Sequence, residues 1–133
     1  MALTIDHRAL GRGMATYLAI AAPCGLLIAV WHGSDKPGQE SSVWVAAALA
    51  IIVVAPLVAG AVAGRDQRAP LIHGALAVVA PAGLFFALRA GAGGAQGTLT
   101  TLQVVRFVLY LVVFTSLGML GGYLGFRRRQ RVT

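Results

Sequence analysis

The chain has 133 residues, 58% of them hydrophobic and 11% charged, with a formal net charge of +7. Soluble domains carry roughly a quarter charged residues; here the few charges form short clusters between long uncharged runs, which excludes an ordinary soluble domain. Nor does the positive charge imply a nucleic-acid partner, because a nucleic-acid binder spreads basic residues over a folded surface, whereas these sit between apolar runs, where they orient helices.

A bilayer core of ~30 Å needs ~20 apolar residues in a helix, and four segments meet that requirement. The first is expected over about 14–31, the second over 43–64, the third over 71–88 and the fourth over 104–126. A basic tail, 127–133, closes the chain. Signal-peptide cleavage is the rival reading of the first segment, but Ala29-Val30-Trp31-His32-Gly33 lacks the small-x-small pattern that a signal peptidase needs. Between the spans, Gly33 to Ser42 is polar and turn-rich, Arg65 to Pro70 is a short charged connection, and Gly91 to Gly97 reads as a flexible Gly/Ala linker. The expected fold is therefore an all-α polytopic membrane bundle in a single domain.

Arginine and lysine collect on the cytoplasmic side of a membrane. Arg8, Arg12, Arg65, Arg68, Arg127, Arg128, Arg129 and Arg131 share one side, leaving Lys36, Arg89 and Arg106 for the other. Both termini are expected in the cytoplasm. Trp31 and Trp44 flank the outer loop at the height of an interfacial aromatic belt.

Laid against itself at an offset of 58 residues, the chain matches at seven of twelve positions between Leu18–Ala29 and Leu76–Ala87, with Pro23 on Pro81. The same offset sets Gly60 on Gly118 and Gly64 on Gly122. Two parallel-repeat helical hairpins are the expectation, related by an axis along the membrane normal. Pro23 and Pro81 each remove a helix donor, so two kinked helices are expected to face each other. Pro56 kinks the second span without a repeat counterpart. Gly60 with Gly64, Gly118 with Gly122 and Gly121 with Gly125 form GxxxG motifs, which allow close backbone approach in lipid; whether they pack within one chain or between chains is open.

Chemistry has few candidates. Asp6, Asp35, Glu40 and Asp66 all lie outside the spans, so the membrane-embedded acid of small proton-coupled exporters is missing. His32 and His73 belong to opposite faces of the bilayer, which disfavours a shared metal or haem site, and Cys24 reads as a small packing residue. No catalytic residue, metal site or cofactor is expected, and the chain is not expected to be an enzyme. Arg106, near the outer end of the fourth span, is expected to snorkel to the headgroups. The cluster of Arg127, Arg128, Arg129 and Arg131 faces anionic lipid.

Ten of the eleven basic residues are arginine and there is no asparagine, the mark of a high-GC source. With the stretch Ala59-Gly60-Ala61-Val62-Ala63-Gly64-Arg65, running on through Arg68-Ala69-Pro70-Leu71-Ile72-His73-Gly74, the chain resembles the uncharacterised small four-helix membrane proteins of bacteria. That resemblance implies a cytoplasmic-membrane bundle and supplies no activity. Two functions remain. One is a structural or accessory subunit packing against copies of itself or another membrane protein, with the lipid bilayer as its other partner. The alternative is a small-solute or ion transporter or channel formed by an oligomer, with Thr16, Thr115 and Ser116 as its path-lining groups.

Overall fold

The computed structural model describes residues 5–32, 42–95, 97 and 100–131. These residues form helix α1 (His7–His32), helix α2 (Ser42–Leu49), a π-helical turn (Ala50–Val54), helix α3 (Ala55–Gly64), helix α4 (Pro70–Ala95) and helix α5 (Thr101–Gln130). Four apolar stretches are long enough to cross a membrane: His7–Ile28, Val45–Gly64, Pro70–Gly94 and Thr101–Gln130. At ~1.5 Å rise per residue, even the 20 residues of Val45–Gly64 match the ~30 Å hydrocarbon core. Lys36, with the rest of 33–41, and the Trp31 and Trp44 side chains lie outside the described residues.

Each helix boundary has a local cause. Asp6 caps α1, its carboxylate accepting from the Arg8 amide at 2.9 Å and the Ala9 amide at 3.3 Å. Thr100 caps α5 through a reciprocal box in which its amide donates to Gln103 Oε1 at 3.1 Å and its hydroxyl accepts from the Gln103 amide at 3.3 Å. The Gly91–Gly97 stretch is helical through Ala95, where a linker was expected. A continuous helix pairs its own backbone polar groups, which an open coil does not. The left-handed residue that breaks the path is Gly97, at φ 67°, a conformation glycine adopts without steric cost.

Pro56 produces the π turn. It has no amide hydrogen, and its ring would collide with the carbonyl four residues back in a regular helix. The chain widens by one residue before it, so that the Ala55 amide donates to Ala50 O, five residues earlier. Pro56 is fully buried and Pro81 is buried, but Pro23 is exposed. The prolines of the two expected repeats therefore do not meet as a matched pair. Ala77 is likewise fully buried while its counterpart Ala19 is exposed.

The difference follows from position. Helix α4 packs against α1, α3 and α5, whereas α1 reaches the α2–α3 span and α4 and does not approach α5. Helix α5 instead lies in the groove between α3 and α4, presenting Gly118, Gly121, Gly122 and Gly125. A Cβ at Gly60 would run into the Gly118 backbone, and one at Gly64 would lie 2.6 Å from Gly122 Cα. Toward α4, a Cβ at Gly118 would lie 2.6 Å from the Gly74 carbonyl. Gly121 and Gly125 meet the Leu57 and Ala61 backbones.

All six glycines of the sequence motifs thus sit at contacts inside one chain. Away from this seam α4 and α5 are spaced by aromatics: Phe86 stacks on Phe107 at 5.2 Å and Phe114 at 6.2 Å between ring centroids. On the opposite side, Gly13 lets α1 settle onto Ala59, Ala63 and Ala77.

Steric closeness at the seam sets a clear expectation. Gly122→Ala destabilises the bundle by about 1–3 kcal/mol, the usual range for overpacking. Gly83, with open space around its Cα, gains up to about 1 kcal/mol on replacement by alanine from reduced backbone entropy. Equilibrium unfolding in mild detergent distinguishes the two, and equal effects would contradict the seam.

Candidate functional site

Within the four long apolar helices, the hydroxyls read as path-lining candidates have partners. Thr16 donates to Arg12 O at 2.8 Å, Thr115 to Leu111 O at 2.6 Å and Ser116 to Val112 O at 2.8 Å. All three hydroxyls are bonded to their own helices. The core around Tyr17 consists of Ala55, Ala59, Val78, Ala82 and Phe114. Arg89 and Arg106 are exposed on the helix surfaces. Cys24 is only partly buried. Among the described residues, no group of three His, Cys, Asp or Glu side chains is placed to hold a metal ion.

Polar structure concentrates where α1 begins, α3 turns into α4 and α5 ends. His73, in the first turn of α4, is 1% exposed. Its Nε2 accepts from the Asp6 amide at 3.1 Å, and its Nδ1 lies 3.0 Å from Ala69 O. An amide can only donate and a carbonyl can only accept, so these partners fix the neutral tautomer with its proton on Nδ1.

Asp6 is bonded on two sides. One carboxylate oxygen caps α1 and the other accepts from Gln67 Nε2 at 3.1 Å. The Ala9 amide, then the Gln67 side chain and the Arg8 amide, hold its carboxyl below the ordinary value of 3.8. These bonds tie the start of α1 to the α3–α4 turn and to α4. Sequence reasoning placed Asp6 merely outside the spans. Its signal is an acidic residue directly before an apolar helix.

On the far side of the same turn, Asp66 forms an ion pair with Arg129 near the end of α5. Both side chains are about half exposed, so the pair contributes little stability by itself. It marks one wall of a cleft of about 490 Å³. Arg65, Gln67 and Arg68 from the turn line the cleft with Asp66, and Phe126, Arg129 and Gln130 from α5 close it. Of the four tail arginines singled out in the sequence, Arg129 is the one that lines this cleft. Arg127, Arg128 and Arg131 are exposed beside it. Arg65 and Arg68, read from the sequence only as topology signals, line the same cleft as Arg129.

Comparison with protein-family models, with curated proteins and with solved structures finds no match for this chain.

The lowered carboxyl of Asp6 gives a pH prediction with a definite sign. A group whose folded-state value is depressed contributes stability above its unfolded value and loses it as pH falls through the folded one. Wild-type protein should exceed Asp6→Asn in thermal stability by a constant margin above about pH 5, and the margin should shrink on acidification below the ordinary carboxylate range. Asparagine still caps a helix, and a turned Gln67 amide can accept from its NH2 group, so the comparison isolates the charge. A margin independent of pH down to about 3 would remove the carboxylate from the account.

Proposed function

We propose that this chain is a multi-pass protein of the bacterial cytoplasmic membrane, with both termini in the cytoplasm, that works by association as a structural or accessory subunit. The supporting observation is the way its interior is filled. Helices α3, α4 and α5 close on one another through glycine backbones, and the three hydroxyls available to line a path bond their own helices. A carrier needs polar groups turned toward its solute. An enzyme needs a nucleophile, acid or metal within reach of a pocket.

The cytoplasmic orientation draws on the arginine bias together with one geometric fact. Asp6 before α1, Asp66 in the α3–α4 turn and Arg129 near the end of α5 belong to the same end of the bundle. The eight basic residues assigned to one face are therefore on segments that meet there. Duplication of an ancestral hairpin accounts for the contact of Gly60 with Gly118 and of Gly64 with Gly122, since equivalent positions meet where parallel repeats share an axis. The two copies have since diverged, with α4 central and α1 peripheral.

Orientation is tested by impermeant thiol labelling of whole cells in a Cys24→Ala background. Ser34→Cys and Gln96→Cys should label from outside and Arg68→Cys should not; the reverse pattern inverts the topology. Function is tested by gentle detergent extraction of a tagged copy from its own host, followed by native mass spectrometry. The proposal expects a stoichiometric membrane-protein partner or a defined homo-oligomer. A homo-oligomer that catalyses solute flux in liposomes would replace this proposal with the transport reading.

A further inference from the structure

We infer that the cleft between the α3–α4 turn and the end of α5 is a binding site for the phosphate of an anionic phospholipid headgroup. The inference rests on the chain lying in a membrane, and it is independent of any protein partner. Arg65, Arg68 and Arg129 line, together with Asp66, a space of about 490 Å³. Guanidinium groups match phosphate oxygens in paired, charge-assisted hydrogen bonds. Asp66 holds Arg129 at the cleft in a half-exposed ion pair.

Location selects a lipid over a soluble anion. The cleft lies where three elements leave the apolar layer: α3 ends at Gly64, α4 begins at Pro70, and α5 passes from Phe126 into its arginines. Phe126 supplies an apolar lining group, and Tyr123 and Leu124, one turn below it, are exposed at 45% and 49%. A phosphate seated among the arginines would leave its glycerol and acyl chains against that apolar surface. Soluble phosphate has no use for it.

Diffuse attraction and a built site predict different mutants. Any cationic surface gathers anionic lipid roughly in proportion to its charge, so under diffuse attraction the loss of three tail arginines weakens binding more than the loss of two in the turn. A built site reverses that order. The test is native mass spectrometry of purified protein titrated with phosphatidylglycerol or phosphatidylcholine, with and without millimolar inorganic phosphate.

Wild type should retain phosphatidylglycerol in preference to phosphatidylcholine. Arg65→Gln with Arg68→Gln should weaken that retention about tenfold or more. Arg127→Gln, Arg128→Gln and Arg131→Gln together should weaken it less than about threefold. Inorganic phosphate should leave the adduct in place. Equal losses in the two variants, or a larger loss in the tail variant, would overturn the site, and displacement of the lipid by inorganic phosphate would overturn the lipid assignment.

If the glutamine pair does not yield monodisperse protein, Arg65→Lys with Arg68→Lys gives the same reading. This pair keeps the charge but loses the guanidinium fork, so weaker retention than in the tail variant supports the site and equal or stronger retention overturns it. A chain that fails to enter detergent micelles at all would overturn the membrane reading and this inference with it.

Discussion

The bundle depends on how closely α5 approaches the backbones of α3 and α4. In lipid there is no hydrophobic force between helices, because the acyl chains are as apolar as leucine, and association depends on packing. Glycine allows that packing to reach the backbone itself. Gly118 and Gly122 lie between Gly60 and Gly64 on one side and Pro70 and Gly74 on the other, so three helices share one contact line. Where the glycines give out, Phe86, Phe107 and Phe114 fill the wider gap by stacking. Helix α1 is left outside, settled on alanines through Gly13.

A peripheral helix needs something to fix where it starts, and the polar end supplies it. His73 is buried with its tautomer set by the Asp6 amide, and the Asp6 carboxylate reaches Gln67. The same turn that anchors α1 through Gln67 carries Arg65, Asp66 and Arg68, which line one cleft with Arg129. The seam therefore determines both the interior of the protein and its cationic surface. Asp6 with His73 and Gln67, and Asp66 with Arg129, place polar contacts between helices at this end of the bundle.

Much of this was legible in the sequence. Spans of 20 or more apolar residues announce themselves through hydropathy, and the GxxxG spacing places its glycines on one helix face before any coordinates are known. The capping box of α5, Thr100-Thr101-Leu102-Gln103, has the spacing of such boxes but was not singled out, and the fourth span was expected to start only at 104. Other features depend on which helix becomes central. Pro23 and Pro81 are equivalent in sequence, but α4 is surrounded and α1 is not, so one is exposed and the other buried. Gly13 and Gly74 carry close contacts without belonging to the motifs singled out. The cleft was illegible for a related reason, since Arg65 and Arg129 are separated by most of α4 and α5. Only the folded seam brings them together.

One measurement addresses the central claim that these glycine contacts close a single chain. Equilibrium unfolding of the wild-type protein, repeated over a wide range of protein-to-detergent ratios, separates a contact within a chain from one between chains, because association makes stability depend on concentration. The account predicts a midpoint that levels off at high dilution, where any association through outer faces is lost and the single chain stays folded. A midpoint that keeps falling with dilution and never levels off would place the seam between molecules and contradict the fold described.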